Sequence, residues 1–132
     1  MRIYLDSSAL VKLVQREAES LALQTHLRHD ADSFVTSALA RVEVARAVFA
    51  GGPEALELVR RQFDRIDQVA VGTRVIESAA RLAPGQLIRS LDAIHLATAL
   101  LVGDELRSVV TYDVRMADAA RALGLFVETP VE

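Results

Sequence analysis

Short apolar runs in this chain alternate with longer stretches in which apolar residues recur every three or four positions, the pattern of strands feeding helices. Arg2 to Leu5 reads as a short strand, and Asp6-Ser7-Ser8 breaks it with residues that favour turns and helix N-caps. From Ala9 to about His29 the spacing is helical, in two pieces bent near Arg16-Glu17-Ala18-Glu19. A turn over Asp30 to Ser33 leads into a second strand, Ser33 to Thr36, and Ser37 is placed to cap a helix over 38–50. Gly51-Gly52-Pro53 ends that helix and opens another that reaches Ile66. Thr73 to Ala83 is a further helix, closed by Pro84-Gly85.

Ser90 is placed to cap a helix from Leu91 to Val102 that is apolar almost all round, as expected of a helix packed between a sheet and other helices. Arg107 to Thr111 reads as a buried strand, followed by a helix from Val114 to Leu123, a Gly124 stop and a last strand over Leu125 to Val127. Strands alternating with helices define the α/β class: an open, mostly parallel central sheet with helices on both faces, a three-layer α/β/α arrangement. No repeat, low-complexity tract or linker interrupts it, and 132 residues suit a single domain over 1–132.

In such a fold ligands bind beyond the carboxyl ends of the strands, so residues just after each strand carry the candidate chemistry. Four acids meet that condition. Asp6 directly follows the first strand, Glu43 lies in the helix after the second, Asp92 sits in the first turn of the apolar helix, and Asp113 follows Val109-Val110-Thr111. Each has an ordinary explanation alone, as a turn residue, a first-turn carboxylate or a solvent-facing side chain. Gathered at one sheet edge, however, four carboxylates repel one another unless a divalent cation neutralises them, and hard cations take oxygen ligands.

Composition narrows the chemistry. With no cysteine, the chain has neither disulfides nor thiolate ligands nor a cysteine nucleophile. No apolar run approaches the roughly 20 residues needed to span a bilayer. Asp6 and Lys12 interrupt any leader-like stretch, so a cytoplasmic protein is expected. The net charge of −3 gives no sign of a nucleic-acid partner, although an acidic metal site lowers the sum without describing the surface around it. Of the 15 basic residues only Lys12 is lysine. Arg41, Arg46, Arg89 and Arg115 lie near the acids in sequence, as candidate phosphate contacts. Four Phe and two Tyr offer little for base stacking.

The segments Tyr4-Leu5-Asp6-Ser7-Ser8-Ala9-Leu10-Val11-Lys12-Leu13, Ser37-Ala38-Leu39-Ala40-Arg41-Val42-Glu43, Leu91-Asp92-Ala93-Ile94-His95-Leu96-Ala97-Thr98-Ala99 and Val110-Thr111-Tyr112-Asp113 resemble, in order and spacing, the four motifs of PIN-domain ribonucleases. The nearest group is the VapC-type toxins of toxin–antitoxin pairs. The resemblance implies a PIN-like domain and a magnesium- or manganese-dependent endoribonuclease, with Asp6, Glu43, Asp92 and Asp113 as catalytic metal ligands. Ser8 and Thr111 match hydroxyls often found beside those acids. Asp118 is a second candidate for the fourth acid, but it falls a turn into the last helix. His95, three residues after Asp92, shares its helical face and is weighed as a ligand or base against a packing role; the family does not use it as a ligand.

The resemblance also implies partners: an RNA substrate such as tRNA or rRNA, a cognate antitoxin laid across the site, and a second copy in a homodimer, with no membrane. Leu10, Val11, Leu13 and Val14 exceed what one helical face buries, so an exposed remainder is expected to receive the antitoxin. An aspartyl-phosphate phosphatase needs a second Asp two residues after the first, where Ser8 stands. Receiver-like signalling domains need paired acids that are missing. A catalytically inactive PIN-like RNA-binding or protein-interaction module is the remaining alternative, and four intact acids speak against it.

Overall fold

The computed structural model describes residues 1–28, 33–82 and 88–131. Strand β1 (Arg2–Leu5) runs into helix α1 (Ser7–Val14), and after a break at Gln15–Glu19 into α2 (Ser20–Arg28). Next come β2 (Ser33–Ser37), α3 (Leu39–Ala47), a 3₁₀ turn at Phe49–Gly51 and α4 (Gly52–Phe63). The chain continues through β3 (Asp67–Val69), α5 (Thr73–Arg81), α6 (Ser90–Val102), β4 (Leu106–Val110), α7 (Val114–Ala122) and β5 (Val127–Glu128). Gly124, at φ +83°, supplies the left-handed turn that stops α7 and lets the chain re-enter the sheet.

The five strands pair in the order β3-β2-β1-β4-β5, and every pairing is parallel. Side-chain alternation along the strands separates two cores. Ile3, Leu5 and Val110 face α1 to α4, packing on Leu10, Leu23, Val44, Val59 and Phe63. Tyr4, Val35 and Val109 face the opposite way, onto Leu96 and Ala99 of α6 and Met116 and Ala119 of α7. Helices therefore cover both faces, and the three-layer α/β/α expectation holds.

Several local readings are corrected. Asp67-Gln68-Val69 carries no apolar alternation, yet it forms the edge strand β3, paired with Val35-Thr36-Ser37. An edge strand needs only one paired side and tolerates polar residues. Ser90 is the first residue of α6, whose N-cap is Arg89. Ser37 ends β2, and Ala38 takes the N-cap position of α3, although the Ser37 hydroxyl still accepts from Leu39 N–H at 3.1 Å. Val11, Leu13 and Val14 are not left standing free: they are half-buried and pack onto the core around Leu10. The turn at Asp30 and the Pro84-Gly85 stop fall outside the described residues.

Candidate active site

The strand order reverses between β1 and β4: the chain first steps outward from β1 through β2 to β3, then returns to place β4 on the other side of β1. At such a switch point the connections leave in opposite directions and open a crevice past the strand ends. Asp6 leaves β1 there and Asp113 leaves β4 there, while a backbone hydrogen bond from Asp6 N–H to Val110 C=O ties the two exits together at 3.3 Å.

Asp6 caps α1. Its Oδ1 accepts from Ala9 N–H at 3.0 Å and from the Ser8 hydroxyl at 2.6 Å, and its Oδ2 accepts from the Thr111 hydroxyl. The side chain is buried, and burial pushes its pKa above the usual carboxylate range despite these donors and the nearness of His95. Asp113 caps α7 through Met116 N–H at 3.1 Å, and its own N–H donates to Thr111 Oγ1 at 3.1 Å. The Thr111 oxygen thus links the first and fourth acids. Ser8 Oγ accepts from Tyr112 N–H at 2.9 Å, tying the start of α1 to the segment after β4.

Asp92 is nearly buried in the first turn of α6. Arg89, just before that helix, donates to Asp92 Oδ2 at 3.2 Å and to Asp113 Oδ2 at 3.3 Å, while its charge also acts on Glu43. Glu43 is half-buried on α3, where its Oε1 lies 2.6 Å from both Ser7 Oγ and His95 Nε2. Burial raises the Glu43 pKa, but hydrogen bonds from His95 and Ser7 and the charge of Arg89 outweigh it, leaving the carboxyl below its ordinary value.

Two pairs of acids are therefore bridged, Asp6 with the main-chain N–H of Asp113 through Thr111 and the Asp92 and Asp113 carboxylates through Arg89. Glu43 is held from the opposite side by His95. Among the described residues no three His, Asp or Glu side chains stand at the spacing of a closed metal cage. The donor set nonetheless suits a hard cation: the acids offer only oxygens, the buried Asp6 charge has only neutral hydrogen-bond donors, and one guanidinium already fits between two carboxylates. Asp118 is exposed and pairs with Arg121 at 3.7 Å, away from these contacts. Arg41, Arg46 and Arg115 are exposed. An open groove of about 730 Å³ between α3 and α4, lined by Arg41, Val42, Val59 and Phe63 among others, includes none of the four acids.

Sequence reasoning overlooked Ser7 and Tyr4. Ser7 looked like one more turn residue, and nothing in the sequence marks Tyr4 as a polar contact. The three-residue spacing of Asp92 and His95 was the available signal for His95, but it pointed towards Asp92 rather than to Glu43, the acid it touches.

Residues 3–122 match the PIN domain model, and the chain belongs to the PIN-domain family. It is 50% identical over 128 residues to Ribonuclease VapC46 of Mycobacterium tuberculosis, covering 97% of both chains. Its fold is similar to the crystal structure of M. tuberculosis VapC20, described as a sarcin–ricin loop cleaving toxin, with TM-score 0.77, 17% identity and coverage of 97% and 98%. It is also similar to a chain of a toxin–antitoxin complex from Klebsiella pneumoniae, with TM-score 0.74, 17% identity and coverage of 98% of each.

Proposed function

We propose that this chain is a metal-dependent endoribonuclease, the toxin of a type II toxin–antitoxin pair that inhibits translation by cutting RNA. The observation that carries the reading is the buried, cation-poor Asp6 carboxylate at the switch point of a sheet whose 50%-identical relative is a VapC ribonuclease. In this reading Asp6, Glu43, Asp92 and Asp113 hold Mg²⁺ or Mn²⁺. When bound, such an ion lowers the pKa of a water and stabilises charge on a phosphoryl oxygen, the requirements of phosphodiester hydrolysis.

The chain's own residues supply position and charge. Ser8, Thr111 and Ala9 N–H fix both oxygens of Asp6, so the carboxylate keeps one orientation. Thr111 passes that constraint to the start of α7, where Asp113 sits. Arg89 is exposed at the crevice mouth and is free to exchange its acid partners for a substrate phosphate once they are otherwise neutralised. Arg41, Arg46 and Arg115 are further phosphate contacts in this reading. The substrate class is a structured cellular RNA, tRNA or rRNA.

The relation to VapC46 and the likeness to a chain of a toxin–antitoxin complex support a cognate antitoxin that covers the acids, and a homodimeric toxin is expected. No helix of the described residues is long and apolar enough to cross a membrane.

Purified protein should cut total cellular RNA into discrete fragments with Mg²⁺ or Mn²⁺, and the fragments should vanish with EDTA, with Asp6→Ala and with Asp92→Ala. Cleavage that survives both substitutions would come from a contaminant. Absence of cleavage by inhibitor-free protein would overturn the nuclease reading.

A further inference from the structure

Glu43 is held from behind by a line of buried polar groups that none of the assignments above uses. Tyr4 is fully buried on β1, and its hydroxyl lies 2.7 Å from His95 Nδ1. The two rings meet edge to face at 5.8 Å and 79°. His95 is itself 2% exposed, and its Nε2 lies 2.6 Å from Glu43 Oε1 and 3.2 Å from Ser7 Oγ.

The direction of the chain follows from the chemistry of its neighbours. Thr36 and Thr98, which interact with the Tyr4 hydroxyl, each donate their own proton to a main-chain carbonyl, at Leu5 and Ile94. The phenol carries one O–H to donate, and the imidazole nitrogen 2.7 Å away is its strongest available acceptor. With Nδ1 accepting, the ring proton resides on Nε2 and is donated to Glu43. Ser7 donates to the same carboxylate oxygen at 2.6 Å, and among the described residues Oε2 has no hydrogen-bond donor.

We propose that His95 is a positioning residue for the site: held in its Nε2–H tautomer by Tyr4, it pins Oε1 of Glu43 and leaves Oε2 as the oxygen available to the crevice. Outer partners that orient a metal-binding side chain typically contribute about 10–100-fold in affinity or activity. The role in metal binding rests on the nuclease reading above. The hydrogen-bond direction does not.

Two measurements separate them. ¹⁵N-detected NMR of the chelator-treated protein should find the His95 ring proton on Nε2, with Nδ1 as the acceptor, and Tyr4→Phe should weaken that preference. A proton on Nδ1 would overturn the proposal. Calorimetric titration with Mn²⁺ and single-turnover RNA cleavage should show His95→Leu losing about 10–100-fold in Mn²⁺ affinity and in kcat, with KM for RNA unchanged. His95→Gln, whose amide N–H can still reach Glu43, should retain most of both. A folded His95→Leu that binds Mn²⁺ as wild type does would overturn the proposal. If wild type neither binds Mn²⁺ nor cuts RNA, the nuclease reading falls, and the tautomer still decides whether His95 donates to Glu43.

Discussion

Asp6 and Glu43 are acids of one crevice, yet their surroundings drive them in opposite directions. Asp6 receives three well-made hydrogen bonds, all from neutral groups, and still holds its proton more tightly than a free carboxyl. Glu43 receives two, keeps some contact with solvent, and loses its proton more readily than usual because the charge of Arg89 adds to the hydrogen bonds from His95 and Ser7. Dipoles from hydroxyls and amides aim a carboxylate without replacing the hydration it gives up on burial; positive charge replaces it. In the proposed metal site the pair would divide the work, with Asp6 supplying a demand for a cation and Glu43 a carboxylate held in place.

The strongest way to break this division is to remove each acid in turn. Asp6→Asn should lower Mn²⁺-supported RNA cleavage by more than about 100-fold, since even outer partners of metal ligands cost about 10–100-fold. Glu43→Gln should cost less, and single-turnover rates that reverse the order would sink the distinction.

Binding of Mn²⁺ should stabilise the wild-type fold by about 2.7 kcal/mol at a concentration 100 times Kd. Thermal melting should show this gain largely missing in Asp6→Asn. Thr111→Val, which keeps the shape and removes the donor to Asp6 and the acceptor for Asp113 N–H, should destabilise the protein by about 1–3 kcal/mol in denaturant titration.

A subtler test uses pH in the presence of EDTA. The folded state raises the Asp6 pKa, so its stabilising contribution is complete below the unfolded value of about 3.9 and is lost as pH climbs through the folded one. Glu43, lowered on folding, contributes in the opposite sense: its share is present above about pH 4.3 and is lost as pH falls through the folded value. Asp6→Asn should therefore gain on wild type in melting temperature as pH rises from 4 to 7, whereas Glu43→Gln should fall behind. Parallel curves would show that the two environments do not differ in this way. Smallest of all, Arg89→Gln should leave the melting temperature unchanged, because the arginine is largely exposed, while weakening the salt dependence of RNA binding.

Much of the fold was legible because apolar spacing and turn chemistry agreed. β1, the break between α1 and α2, and α6 fall where the pattern of Ile3-Tyr4-Leu5, the charged stretch near Glu17 and the run from Leu91 to Val102 put them. β3 was not legible, because Asp67 and Gln68 are exposed at a sheet edge and their assignment depends on β2 alongside, a contact 32 positions away in register from Val35 to Asp67. Ser37 and Ser90 misled by one position each: Ser37 still belongs to β2, and Ser90 already lies inside α6.

At the site, Asp6, Asp92 and Asp113 could be picked out because strand ends and first turns are readable. The reach of Ser8 and Thr111 to Asp6 was expected from their neighbouring motifs and is present. The Tyr4–His95–Glu43 line was invisible, since it joins side chains of β1, α6 and α3, elements distant in sequence.

Because every strand points the same way, the start of β1 and the end of β5 lie at opposite poles of the sheet. Met1 precedes β1 at the far pole, whereas the residues after β5 return to the crevice side, where Thr129 Oγ1 donates to Thr111 C=O at 2.9 Å and Tyr112 Oη donates to Pro130 C=O at 2.8 Å. A polyhistidine tag carried on the segment that leaves β5 would start from the pole that holds the acids and compete with them in any metal measurement. The same tag placed ahead of Met1 would sit a full strand length away, leaving the crevice open to RNA and to calorimetry alike.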